Sequence, residues 1–258
     1  MDPPSPEDPG RTSGYTLADF SMFAVAVDVV LMSIQQRELR ILLVQRGTPP
    51  YRGGWALPGG LVMKSEPLEE AAQRVVYEQS GIVFRQGHLE QVGAYGDPQR
   101  DPRTRVVTVA FWAVAPQSSH PCLDSGSAGP GAPAYLEFVP VPEIESGRLK
   151  LAFDHAHIVA DTLERVRANL ETTTLARRFC PDEFTISQLR EVYEAVWGGP
   201  LDAANFQRRI LQSEGFVSPL EKWRRPAGRG GRPARLWQAD DGHKRLSRPF
   251  PAPWRGRS

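Results

Sequence analysis

Cysteine is almost missing: in 258 residues it occurs only as Cys122 and Cys180. The two form no motif with histidine or with each other, which excludes a disulfide scaffold and points to a reducing compartment. Long apolar runs are also lacking. The longest near the start, Phe23 to Ile34, is interrupted by Asp28 and is too short to span a bilayer. The first residues, MDPPSPEDPGRTSG, are acidic and proline-rich. They have neither the positive region nor the apolar stretch of a signal peptide. These absences predict a cytoplasmic protein. With 40% hydrophobic and 24% charged residues the composition is that of an ordinary globular chain. Its length accommodates one large domain, or two with separate cores.

A formal net charge of +1 conceals an uneven distribution. From Arg208 onward the basic residues are Arg208, Arg209, Lys222, Arg224, Arg225, Arg229, Arg232, Arg235, Lys244, Arg245, Arg248, Arg255 and Arg257. Only Glu214, Glu221, Asp240 and Asp241 oppose them. A near-neutral chain with one strongly basic end suggests a polyanionic partner for that end.

Along the chain, residues 1–13 read as a disordered tail. Phe23–Leu31 and Leu39–Val44 read as β-branched, apolar strands joined by a polar turn around Gln35–Glu38. Gly53 to Gly60 is rich in breakers. Leu68 to Gln79 has helical spacing, with Leu68, Ala71, Ala72, Val75 and Val76 on one face and Gly81 as the stop. Leu89–Tyr95, Arg105–Val114 and Tyr135–Val141 read as strands, 116–133 as a low-complexity projecting loop, and Asp154 to about Leu170 as a helix. A second unit opens near Leu175. Thr185 and Gln188 make a capping box for a helix bearing Leu189, Val192, Tyr193 and Val196. Asp202 caps another, with Phe206, Ile210 and Leu211 as its apolar face and Gly215 as its stop. Short strands Phe216–Leu220 and Ala234–Gln238 follow. Helix, tight turn, helix and hairpin in that order predict a winged helix-turn-helix.

The segment GGLVMKSEPLEEAAQRVVYEQSGI resembles the signature box of Nudix proteins. Gly60, Glu66, Arg74, Val76, Glu78, Gly81 and Ile82 match in register. The resemblance implies three acids at the positions of Val75, Glu78 and Gln79, which share one helix face. Such carboxylates hold Mg²⁺, a cation that wants oxygen ligands, and the metal supports attack of water on a pyrophosphate. Val75 offers no ligand and Gln79 only a neutral carbonyl, so the expectation is a degenerate box with no catalytic residues, no bound metal and no cofactor. The pocket can outlast the metal. Phe23, Arg46, Trp55, Tyr95, Arg103 and Arg105 are candidates for ligand contact by position. His155 and His157, two apart on a helix, do not face each other and read as packing or surface residues.

On the second unit, Asn205, Gln207, Arg208 and Arg209 lie on the helix opened by Asp202. Asn and Gln bind adenine, and Arg binds guanine, from such a helix in the major groove. Arg224, Arg225, Arg229 and Arg232 suit a wing against phosphates or the minor groove. Together the halves resemble the Nudix-related transcriptional regulators of bacterial NAD metabolism, the NrtR family. The resemblance rests on LLVQRGTPPYRGGWALPGG, DPRTRVVTVAFWA, LAFDHAHIVADTLERV and FTISQLREVYEAVWGGPLDAANFQRRIL, followed by GRPARLW. It implies an α+β chain: a Nudix α/β/α sandwich with a mixed sheet over 14–172, a winged helix-turn-helix over 173–240, and a basic flexible tail over 241–258. It further implies a homodimeric repressor of palindromic operator DNA, with ADP-ribose or a related nucleotide as effector. The alternative is an active Mg-dependent ADP-ribose pyrophosphatase with an appended basic domain.

Overall fold

The computed structural model describes residues 22–83, 89–115, 135–225 and 233–239, and Arg245, Leu246, Pro249, Phe250 and Ala252 beyond them. The tail 1–13, the loop 116–133 and the wing residues Arg229 and Arg232 lie outside the described residues.

Strands β1 (Ala24–Gln35) and β2 (Glu38–Gln45) form the predicted hairpin. Gln35 pairs with Glu38, which leaves a two-residue turn of Gln36 and Arg37 at φ of 53° and 64°. Two consecutive left-handed residues make the mirror-image turn whose twist matches that of the strands. β1 lies at the centre of a seven-stranded mixed sheet. It runs parallel to β6 (Val106–Val114) and antiparallel to β2 and to the short β4 (Gly59–Leu61). β3 (Trp55–Ala56) and β7 (Tyr135–Pro140) pair with β2, and β5 (Glu90–Tyr95) closes the far edge on β6.

Side chains alternate across a strand, and β1 uses both faces. Val27, Val29 and Leu31 pack with Ala71, Ala72, Val75 and Val76 of α1 (Leu68–Ser80). Val30, Met32 and Ile34 pack on the opposite side with Ile158, Val159, Leu163 and Val166 of α3 (His155–Thr172), which follows the short α2 (Val141–Glu145). This is the expected sandwich. Gly81, at φ 67°, closes α1 with its N–H on the Tyr77 carbonyl, the left-handed cap that glycine adopts without a Cβ penalty.

A 3-10 helix, Leu175–Phe179, leads into the second unit. There follow β8 (Glu183–Phe184), α4 (Ile186–Trp197), α5 (Ala203–Gln212), β9 (Val217–Arg224) and β10 (Ala234–Ala239), with sheet order β8-β10-β9. The capping box is formed: Gln188 N–H donates to Thr185 Oγ1 at 3.2 Å, and Thr185 N–H to Gln188 Oε1 at 2.9 Å. Asp202 accepts from Asn205 N–H at 2.8 Å. α5 ends earlier than Gly215 predicts, because Ser213 N–H already closes on the Ile210 carbonyl.

The second unit joins the apolar cluster on the α3 side of the sheet rather than forming a core of its own. Leu189, Val192, Tyr193, Val196, Phe206 and Ile210 belong to the same apolar cluster as Val30 and Ile158. Within 241–258, expected as a basic flexible tail, several of the described residues pack on the body of the protein. Phe250 and Ala252 are 8% and 4% exposed in that cluster. Leu246 N–H donates to the Thr172 carbonyl at 2.8 Å, and Phe250 N–H to that of Glu171 at 2.6 Å. Burying a phenylalanine contributes about 2–3 kcal/mol, which outweighs the basic, proline-rich character of its surroundings. Among the described residues no helix is long and apolar enough to cross a membrane.

Candidate effector site and nucleic-acid interface

The box folds as loop and helix around Gly59 and Gly60. A Cβ at Gly59 would sit 2.1 Å from Asp28 Oδ1 and 2.7 Å from the Val27 carbonyl, so the backbone approaches too closely for any side chain. At Gly60 it would meet Val75 Cγ1 at 3.1 Å. Val75 is buried, 1% exposed, in the α1 face of the core. Gln79 donates Nε2–H to the Gly59 carbonyl at 2.8 Å. The remaining acids turn to one cation: Arg74 reaches Glu66 Oε1 and Oε2 at 2.5 and 2.9 Å, and Glu78 Oε2 at 3.1 Å. These Arg74 bonds, with the Met63 N–H, hold the Glu66 carboxyl down at about 2. Glu66 thus braces the loop. Among the described residues no group of three or more His, Cys, Asp or Glu is placed to hold a metal ion. At two of the positions where Mg²⁺ would want carboxylates the box offers the apolar Val75 and the neutral amide of Gln79.

Beside the box, over β1 and β4, a cavity of about 220 Å³ is lined by Asp28, Arg46, Leu57, Gly59, Gly60, Arg100, Asp101, Arg103, Phe153 and His155. Arg100 forks onto Asp154, Nε to Oδ2 at 2.9 Å and Nη2 to Oδ1 at 2.8 Å, and Nη2 also reaches Asp28 Oδ2 at 3.3 Å. On the other side of Asp28, His155 Nε2 stands 3.4 Å from Oδ1. His155 Nδ1 accepts the Leu57 N–H at 2.9 Å, so the proton of the neutral ring lies on Nε2. Burial pushes the His155 pKa down, against the pull of Asp28 and Asp154.

At the mouth, Arg103 is paired with Asp101 through Nε and Nη2, at 3.0 and 2.7 Å. Arg46 gives Nε–H to the Pro50 carbonyl at 2.7 Å and lays its guanidinium 4.7 Å over the Phe153 ring. No carboxylate pairs with it among the described residues. Burial lowers its pKa first, and the neighbouring Arg103 charge lowers it further. Two guanidiniums close enough to repel, one without an acid partner, make a place for an anion.

Of the six ligand candidates, Arg46 and Arg103 line this cavity. Arg105 donates to the Gly96 carbonyl at 2.5 Å and stacks 5.1 Å over Phe23, beside the site rather than in it. Trp55 packs against Tyr135, and Tyr95 lies in a separate groove with its hydroxyl on Asp161 at 2.9 Å. Neither lines this cavity: Trp55 packs against the core and Tyr95 lies at the sheet edge. Sequence reasoning missed Asp28, Arg100, Asp101, Phe153 and Asp154, and took His155 for packing. One signal was present, the carboxylate of Asp28 inside an apolar strand, since a buried charge needs partners. His157 is a surface residue, 3.1 Å from Asp161.

On the second unit, Phe206 and Ile210 turn α5 inward and leave Asn205, Gln207, Arg208 and Arg209 exposed. Arg208 donates to Asn205 Oδ1 at 2.7 Å, and the pair faces solvent. Arg209 instead lies 5.0 Å over the Phe250 ring. Arg224 reaches back to Gln188 Oε1 at 3.0 Å and the Glu183 carbonyl at 3.4 Å, and both it and Arg225 are exposed. Arg209 and Arg224 thus have partners within the fold, while their side chains remain exposed.

A family model described as the NUDIX domain matches residues 22–162, and one described as the NrtR DNA-binding winged helix domain matches residues 176–239. The chain is 31% identical over 226 residues to the ADPR responsive transcriptional repressor NtrR of Acinetobacter baylyi, covering 87% of this chain and 85% of that protein. Shewanella oneidensis NrtR complexed with a 27mer DNA superposes with a TM-score of 0.72 at 27% identity, over 88% of this chain and 99% of that one. The NUDIX domain of the same Shewanella protein, complexed with ADP ribose, gives a TM-score of 0.50 at 29% identity, over 60% of this chain and 95% of that one. Carrying both domains in this order and resembling a curated member over most of its length, the chain belongs to the NrtR family of Nudix-related transcriptional regulators.

Proposed function

We propose that this protein is a cytoplasmic, homodimeric transcriptional repressor of NAD or related metabolism, and that ADP-ribose or a closely related nucleotide in the cavity weakens its hold on operator DNA. The course of α3 carries this proposal. The helix starts at His155, which lines the cavity, and spans 18 residues, about 27 Å at about 1.5 Å per residue. Its far end packs under α4, where Trp197 donates to the Arg167 carbonyl. A ligand that favours one placement of α3 therefore acts on the winged helix through packed groups. It shifts DNA affinity only by its own differential affinity for the two arrangements.

Asn205, Gln207, Arg208 and Arg225 form the DNA-contacting surface in this proposal. A two-fold pair of such surfaces reads half-sites of a palindrome about one helical turn apart. Hydrolysis is not part of the function, since Val75 and Gln79 stand where acids would gather Mg²⁺. The test uses the DNA fragments that co-purify with the protein from cells. Binding of these duplexes should be salt-sensitive and should weaken about 5–150-fold with saturating ADP-ribose. Absence of DNA binding, indifference to ADP-ribose, or Mg²⁺-dependent release of AMP at about 1 s⁻¹ or faster would each overturn it.

A further inference from the structure

Arg100 is the most enclosed cation of the cavity, its side chain 4% exposed. Nε and Nη2 hold Asp154 and Asp28, and Nη1 makes no hydrogen bond among the described residues. Asp154 immediately precedes α3. From that position an aspartate ordinarily accepts an amide of the first turn. Here it makes no such bond, and its carboxylate is turned to Arg100 instead.

The charges at the cavity are balanced: Asp28, Asp101 and Asp154 against Arg46, Arg100 and Arg103. A diphosphate brings negative charge and no cation. Arg46 offers a first phosphate oxygen a cation that no carboxylate holds among the described residues. A phosphate that also reaches Arg100 competes there with Asp28 and Asp154, and a buried carboxylate left short of its partner is costly. The three carboxylates differ in how easily they leave. Asp101, 4% exposed, is held by both arms of Arg103 and by its N–H. Asp28, 9% exposed, sits inside β1 between Arg100 and His155. Asp154 is 23% exposed and has a second partner at hand, the start of α3, where the helix dipole favours a carboxylate.

We propose that Arg100 and Asp154 are the relay of the effector site: a phosphate group taken up by Arg100 frees the Asp154 carboxylate to cap α3, and the helix resettles against the winged helix. The relay rests on the effector reading above and assigns its positioning residues. Asn at 154 makes no ion pair with Arg100 and caps a helix in either state, so it removes the difference that the ligand exploits.

The experiment measures ADP-ribose affinity of the full chain by calorimetry, free and saturated with a co-purifying duplex. The ratio of the two is the coupling, and in the wild type it should be about fivefold or more. Asp154→Asn should bring it to near one. Asp161→Asn removes a charge from the same helix outside the cavity and should keep the wild-type ratio. Independently of any variant, ADP-ribose should slow amide exchange at Ala156 in the wild type; the His157 N–H already donates to the Asp154 carbonyl at 2.9 Å. An Asp154→Asn chain with the wild-type ratio, or unchanged exchange at the Ala156 amide, overturns the relay. A wild-type ratio of one overturns the effector reading, and the relay with it.

Discussion

Trp197 and Arg167 hold each other across the seam between the two units. The indole Nε1 donates to the Arg167 carbonyl at 3.4 Å, and Arg167 Nε donates to the carbonyl of Val196 at 3.1 Å. Arg167 also forks onto Glu145 at 2.7 and 3.2 Å, so one side chain ties α3 to both α2 and α4. Its side chain is 34% exposed, and the pair with Glu145 is discounted for solvent. The bond to Val196 lies deeper. Arg167→Ala should cost about 1–2 kcal/mol, read as a lower urea midpoint with an unchanged slope. It should also reduce the effect of ADP-ribose on DNA binding. An unchanged midpoint would show that the seam is held by the apolar cluster alone.

Acid should weaken the protein in two stages. His155 is buried neutral, its pKa pushed below the ordinary 6.5 by burial. Below that value the unfolded chain binds a proton that the folded chain refuses, so stability falls as pH drops from about 6.5. Glu66 is held near 2 by Arg74, against an ordinary value of 4.5. Its contribution is complete above about 4.5 and disappears as pH falls toward about 2. Denaturant midpoints measured from pH 7 to pH 2 should show both stages. Glu66→Gln should shrink only the lower one, where Asp101, whose pKa Arg103 lowers as well, keeps its share. If Glu66→Gln also flattened the curve between pH 6.5 and pH 5, the upper stage would not belong to His155.

Local chemistry was legible in the sequence and long-range pairing was not. The Thr185–Gln188 box, the Asp202 cap and the glycine after α1 are set by neighbours within one turn. The turn around Gln35–Glu38 was readable from its polarity but its left-handed backbone was not, since neither Gln36 nor Arg37 favours that conformation and strand twist imposes it. The short strands β3, β4 and β8 exist only through partners far along the chain. The cavity shows the same division. Val75 and Gln79 stand out only through the resemblance to the Nudix box, which implies acids at those positions. The network of Asp28, Arg100, Asp154 and His155 assembles from three separate segments, with the interrupting charge of Asp28 as its single trace. Phe250 was hidden by its neighbours: a basic, proline-rich context masks one aromatic that fills a gap among Tyr193, Trp197 and Phe206.

That aromatic separates the roles of two adjacent arginines. Arg208 faces solvent with Asn205, whereas Arg209 covers the ring of Phe250. Arg208→Ala touches no core group, so its stability should stay within about 0.5 kcal/mol of wild type. Its affinity for a co-purifying duplex should fall by about 1–3 kcal/mol if it reads a base. Arg209→Ala loses a cation–π contact worth about 0.5–1 kcal/mol and should affect the denaturation midpoint more than the DNA. Phe250→Ala empties a site between α4, α5 and the end of α3 and should cost about 3 kcal/mol. Combining it with Arg209→Ala should cost less than the sum of the two, because the arginine's partner is already gone. Denaturation of the four chains with fluorescence titration of the duplex checks each value. Full additivity of Arg209→Ala and Phe250→Ala would mean that the contact between them carries no energy, and Arg209 would return to the DNA-facing group.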